Sequence, residues 1–415
     1  MASTLQETVR EDGLRVITKR LSYSKRIRIS ISGLVGSADD DEDKEGQKHF
    51  FEHMAFKGTK TKSLDELSVM GGQFLASNAY TSYLRTTYYA EAAIKRRDLL
   101  EDFLFDIYLN PDFPDTEIER EKEVVFNETI ENEEDNARKA LQAAKQMLWT
   151  QNPMRKVGCG TEKGLAAINR ENLFEAHKKW YIPSNTVVVA TGAIGHEDFV
   201  KKVFKIVPES YGLVVRQKWD DESAVLPVVK ECIVPRPGRQ QGAIVSGCKL
   251  PKLSERDYLV FEVLCYMLAS GPEEMLYREL REKRGFVYSA GGGIDGARDL
   301  ARLFEFGAQM LPHRIDESKD LMHEVVYQYP LDRFHFIRTK NLMLDYLIAG
   351  AESCGHWDGI ILSQMVDNKK DLNYLRNFLQ KKEKMILAIE FEELEILRKK
   401  LLVPERTVCA VVDPR

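Results

Sequence analysis

Two stretches of this 415-residue chain, IPSNTVVVATG at 182–192 and VPERTVCAVVD at 403–413, read as copies of one another. Pro183 matches Pro404, Thr186 matches Thr407, and a run of β-branched and small apolar residues follows each. A second pair, SISGLVG around Gly33 and AIVSGCKL around Gly247, occurs in the same order, and both pairs are offset by about 220 residues. A repeat of that length is the size of a domain rather than of a solenoid unit. The chain is therefore expected to be two copies of one α/β unit of about 200 residues each. The fold class expected is α+β, each unit a mostly antiparallel sheet packed with helices. LRVITKRL and RIRISISGLVG have strand patterning, whereas DLLEDFLFDIYLN, stopped by Pro111, and 116–148 have helical spacing. RQKWDDESAVLPVVKE at 216–231, polar and proline-containing, is the expected linker, giving domains at 1–215 and 232–415.

One short stretch in the first copy has chemistry in it. KHFFEHMAFKGT at 48–59 places His49, Glu52 and His53 within a helix-compatible run. At about 100° per residue, His49 and His53 lie about 40° apart and one turn removed, so both imidazoles reach a common point. Glu52 falls about 60° to one side of His49, the mirror of its place in the HExxH order. Two imidazoles can hold a Zn2+ ion, which then needs a further protein ligand and leaves a position for water. Glu52 is the candidate general base for that water and, later, the acid for a leaving amine. The competing reading is a core helix whose histidines bond to the backbone. The missing ligand would be a distant carboxylate, and EREKEVVFNETIENEED at 119–135 offers several. Glu121 and Glu128, seven apart, lie about 20° from eclipsed on a helix, but spacing alone does not choose among the glutamates there.

HFFEHMAFKGT resembles, over its whole length, the zinc helix of the pitrilysin family of inverted zincins. EREKEVVFNE at 119–128 is similar to the family's later glutamate segment, which implies Glu128 as third ligand and Glu121 as a supporting acid. SNAYTSYLRTTYYA at 77–90 resembles the family's substrate-edge strand, implying backbone contacts from Asn78 and Ala79 to an extended peptide. LREKRGFVYSAG at 280–291 resembles a segment of the second half whose Arg281 and Tyr288 positions bind substrate near the scissile bond. There are departures: five residues separate Gly72 from Asn78 where the family has two, and Leu84 stands where an acidic residue is common.

The resemblance implies a zinc-dependent endopeptidase acting on short or unfolded peptides inside a dimeric chamber. Large members carry four such units in one chain, so two units imply a second chain, here a homodimer, with a heterodimer as the other arrangement. The alternatives are a non-catalytic scaffold subunit of the same fold and the catalytic subunit of a heteromeric processing peptidase. Composition narrows the rest. A net charge of −5 argues against a nucleic-acid partner, and the longest apolar runs fall short of a membrane span. Six scattered cysteines with no CxxC pair fit free thiols in a reducing compartment. The expected location is cytoplasmic, or an organelle matrix if a presequence has been removed.

Overall fold

Eleven strands in the computed structural model, which describes residues 4–297 and 300–415, form two sheets. The first contains β1 Leu5–Val9, β2 Arg15–Arg20, β3 Arg26–Gly33, β4 Ala76–Thr81, β5 Thr86–Ala93 and β6 Thr186–Gly192, in the order β1-β2-β6-β3-β5-β4. The second contains β7 Glu231–Pro235, β8 Gly242–Leu250, β9 Val287–Ala297, β10 Ala301–Met310 and β11 Thr407–Asp413, in the order β7-β11-β8-β10-β9. In the first, β2 and β6 run parallel and the remaining pairs antiparallel. In the second, β7 and β11 are the parallel pair. In strand order and pairing direction β6 takes the place of β11 and β3 that of β8, the two pairs that the sequence echo picks out.

The chain folds into two compact units, and they are not contiguous halves. One comprises Met1–Thr129, Lys156–Lys218 and Ala349–Phe378; the other Ile130–Arg155, Trp219–Ile348 and Leu379–Arg415. The expected linker divides between them after Lys218. The exchanged segments differ from the contiguous domains read in the sequence, and burial accounts for them. Strands β6 and β8 are buried on both faces, so each sheet needs helices on its second face as well.

In the second unit that cover is the helix Asn136–Leu148, packed on β8 and β11. Gly247 on β8 lies beneath it: a Cβ there would crowd Leu303 Cδ1 of the neighbouring strand β10 at 2.9 Å and would meet Leu148 Cδ1 at the helix end at an ordinary contact distance of 3.6 Å. In the first unit the cover is the helix Cys354–Ile361, against β3 and β6. It explains why Ser30 and Ser32 on β3 are as buried as Ile27, Ile29 and Ile31 on the opposite face. Ser30 donates to Asp358 Oδ2 at 2.7 Å and Arg28 Nε to the same oxygen at 3.1 Å.

After the division, the linker is fixed to the second unit by Glu222. Its carboxylate accepts the backbone N–H groups of Thr150, Gln151 and Asn152 at 3.0, 2.9 and 2.8 Å, satisfying donors where the chain leaves the covering helix. Glu222 is 7% exposed. Burial pushes its pKa up, and the three backbone bonds outweigh that, holding it below the ordinary 4.5. Glu222→Gln is therefore expected to destabilise the second unit by about 1–3 kcal/mol at neutral pH. The folded value lies below the unfolded one, so the wild-type advantage is complete above pH 4.5 and fades as pH falls through the folded value. Urea melts of both proteins at pH 7 and in acid check this; a gap that widens in acid contradicts it.

Candidate metal centre

The helix that bears the histidines, α1, spans Gln47–Met54. Its N-terminus is set by Gly46, whose φ of 97° and close approach to Gly160 (2.6 Å from an added Cβ to Gly160 Cα) leave no room for a side chain. Asp40 then caps the first turn, accepting from the Gly46 N–H at 2.8 Å and the Lys48 N–H at 3.0 Å. Phe50, Phe51 and Met54 anchor one face in the core, with Phe51 stacked on Tyr181 at 4.4 Å between ring centroids. His49, Glu52 and His53 are left for the other side, as the spacing requires.

The helix Asp115–Glu134, α2 here, brings the carboxylates. Ile118, Glu121, Val125 and Thr129 are its buried residues, a helical stripe that sets Glu121 inward, while Glu128 lies at the margin. His49 Nε2 and His53 Nε2 are 3.3 Å apart, and Glu128 Oε2 is 3.8 Å from each. A triangle with those edges has a point about 2.1 Å from all three corners, the bond length zinc takes to nitrogen and oxygen. His49, His53 and Glu128 are the one group of three or more potential metal ligands converging among the described residues.

The surroundings favour a cation at that point. His53 Nδ1 lies 2.8 Å from Glu121 Oε1, which leaves Nε2 for the common point. Glu121 is held in turn by Lys57, whose Nζ is 2.6 Å from Oε2. Burial raises the Glu121 pKa, but His53 and Lys57 more than reverse this and hold it in the ionised form. Burial and the charge of His53 push His49 down to about 4, so it is neutral and able to coordinate near pH 7. For His53, burial acts downward and is outweighed by the Glu121 hydrogen bond and the charges of Glu52, Glu121 and Glu128. That carboxylate field attracts a proton to His53 in the bare chain and would be satisfied better by a divalent ion. The donor set and its environment fit zinc.

Glu52 is 8% exposed and accepts the Thr81 hydroxyl on Oε2 at 2.6 Å. Burial raises its pKa, partly offset by Thr81 and His53 and reinforced by Glu128, which increases its proton affinity. Thr81 closes β4, the edge strand, and Asn78 and Ala79 lie three and two residues before it. The Ala79 N–H donates to the Asn78 side chain at 2.9 Å. The long Gly72–Asn78 spacing is absorbed in the turn before Leu75, whose N–H already bonds to Glu91 O at 2.8 Å.

Arg281 and Tyr288 belong to the second compact unit. They meet each other there: the Arg281 guanidinium lies 5.1 Å from the ring centroid of Tyr288, which is the second residue of β9 and is 65% exposed. Two contacts of the site have no signature in the sequence: Thr81, in the SNAYTS segment, reaches Glu52, and Lys57, in FKGT, reaches Glu121.

Both halves match family descriptions: residues 15–157 match "Insulinase (Peptidase family M16)" and 167–330 "Peptidase M16 inactive domain". An uncharacterized zinc protease of Rickettsia felis is 26% identical over 288 residues, 68% of each chain. The probable mitochondrial-processing peptidase subunit beta of Arabidopsis thaliana is 32% identical over 203 residues, 48% of this chain and 38% of its own. A solved peptidase M16 inactive domain from Pseudomonas fluorescens shares the fold, with a TM-score of 0.85 at 16% identity over 99% of this chain and 98% of that one. A repeated α+β unit with an HxxEH helix in its first copy has the build of an inverted zincin. The chain belongs to peptidase family M16, the pitrilysin or insulinase family.

Proposed function

We propose that this chain is a zinc-dependent endopeptidase that hydrolyses short or unfolded peptides in a chamber formed by two chains. The observation that carries the reading is the convergence of His49, His53 and Glu128 on one point, with Glu52 between the two histidines on the same helix. Zinc held there would polarise the scissile carbonyl and make water a stronger acid. Glu52 takes a proton from the attacking water as its oxygen bonds to the carbonyl carbon. The same carboxyl gives that proton to the amine nitrogen as the C–N bond breaks. Thr81 holds Glu52 in position, Glu121 holds the tautomer of His53, and Lys57 keeps Glu121 charged. An extended peptide pairs with the free edge of β4 through Asn78 and Ala79. Arg281 and Tyr288, supplied by the opposite chain, hold the substrate and the developing oxyanion.

A scaffold subunit of the same fold is the competing reading, and a heteromeric processing peptidase lies between. Metal analysis with cleavage of a quenched peptide separates them: about one zinc per chain and cleavage by the chain alone support the proposal. An inert preparation that takes up no zinc refutes it, and zinc uptake with cleavage only when a second protein is added supports the heteromer. No helix among the described residues is long and apolar enough to cross a membrane, and a cytoplasmic enzyme is the location we propose.

Sharing of one active site by two chains has its own test. Glu52→Gln and Tyr288→Phe chains should each be weak alone, and their mixture should regain about a quarter of wild-type activity on random pairing, rising to about a half in pure mixed dimers, because every mixed dimer holds one intact site. Verified mixed dimers with no recovery contradict the arrangement.

A further inference from the structure

Strand β4 is tied down on both faces at its final turn. Successive side chains alternate across a strand, and Ala79 and Thr81 face the side of α1, Ala79 in the core and Thr81 on Glu52. Tyr80 points to the opposite face, where its hydroxyl accepts a hydrogen bond from Arg85. Arg85 is itself buried, at the end of the tight turn that follows β4. Its Nη1 also donates to Thr87 Oγ1 at 3.0 Å. Its Nε and Nη2 form a two-pronged fork on Asp367 at 2.9 and 3.1 Å.

Asp367 is not a loose surface carboxylate. It lies on Ala349–Phe378, the exchanged segment of this unit. The Thr191 hydroxyl donates to Cys354 O at 3.0 Å, and Asp358 takes the bonds from Arg28 and Ser30 already described, so the segment is fastened to β6 and β3. The same turn is gripped from the loop that leads into α1, where the Ser37 and Ala38 N–H groups each donate at 3.0 Å, to Ser82 O and Tyr83 O. An edge strand has a neighbour on one side only, and here two outside anchors supply what a second neighbour would.

We infer that Arg85 and Asp367 are positioning residues for catalysis: their fork fixes the end of β4, and with it both the Thr81–Glu52 contact and the edge on which an extended peptide pairs. The catalytic half of this inference rests on the peptidase reading; the mechanical half does not. Hydrogen exchange and steady-state kinetics on the full-length, zinc-loaded chain test the two together. In Asp367→Asn and in the milder Arg85→Lys, amides of 78–85 should exchange about tenfold faster while those of β6 keep the wild-type rate. KM for an extended peptide should rise about tenfold, with kcat changed less than about threefold, because pairing is weakened more than chemistry. Asp367→Glu, which keeps the carboxylate, should restore both. Wild-type exchange over 78–85 in both variants overturns the inference, as does an equal loss of kcat on all substrates with β6 loosened too. If 78–85 loosens as expected in a chain that cleaves nothing even as wild type, the anchor is supported and the peptidase reading fails.

Discussion

Glu52→Gln is expected to lower kcat/KM for peptide hydrolysis by about 10²–10⁴-fold while leaving the zinc content unchanged. Glutamine preserves the length of the side chain and an oxygen to accept the Thr81 hydroxyl, which lies 2.6 Å from the native carboxylate. It cannot accept the proton of an attacking water, so the loss isolates base chemistry from packing. His49 and His53 lie three positions before and one after residue 52 on α1, and neither depends on its charge for its place: His53 is oriented by Glu121 and the helix by Phe50 and Phe51. Zinc affinity and thermal stability should therefore remain close to wild type, and peptide should still bind. Measuring kcat/KM, zinc stoichiometry and peptide binding on one preparation checks all three. A variant that retains most of its activity with zinc bound would remove Glu52 from the mechanism; one that loses zinc along with activity would make the residue structural.

What was legible in the sequence follows the range of the forces involved. Helical periodicity is local, so the convergence of His49 and His53 could be read from four residues of spacing. The repeat was legible for a related reason: strands buried on both faces need continuous apolar runs, and those of β6 and β11 survive as visible copies. Glu128 was not accessible in that way. It lies 75 residues beyond His53, on a helix crowded with carboxylates, and only likeness to a known family singled it out. Glu121 and Glu128 are nearly eclipsed in a helical projection, yet one sits buried against His53 and the other at the ligand triangle. The difference arises from displacement along the helix axis, about 10 Å for seven residues, which a projection discards. The exchanged segments were illegible for a further reason. Amphipathic patterning shows that a helix has a face to bury, and says nothing of which sheet receives it. Thr81, Lys57 and Asp367 act through partners distant in the chain, and no periodicity encodes such contacts.

That axial separation makes the two carboxylates experimentally distinct, and the second large effect is expected there. Glu128→Gln removes a charged corner of the ligand triangle, so zinc affinity should fall by more than about 100-fold, and activity at ordinary zinc levels should disappear. Glu121→Gln leaves the triangle intact and removes the group that fixes the His53 ring, a loss that costs about 10–100-fold in affinity at comparable sites. The Glu121 variant should thus regain zinc, and part of its activity, when zinc is raised, whereas the Glu128 variant should not regain activity at the same concentrations. Lys57 sharpens the contrast. Its ammonium is 2.6 Å from Glu121 Oε2, so in Glu121→Gln it loses its buried counter-charge, and some loss of thermal stability should accompany the weaker zinc binding. Glu128 has side-chain exposure of 41% and, among the described residues, no lysine or arginine paired with it, only the imidazoles of His49 and His53 at 3.8 Å, so its replacement should cost the zinc-free chain less stability than that of Glu121. Zinc competition titrations with a chromogenic chelator, run beside thermal melts of the zinc-free proteins, read both quantities. If the affinity order is reversed, with Glu121→Gln the weaker binder, the third ligand is Glu121 and α2 must shift along its axis on binding metal.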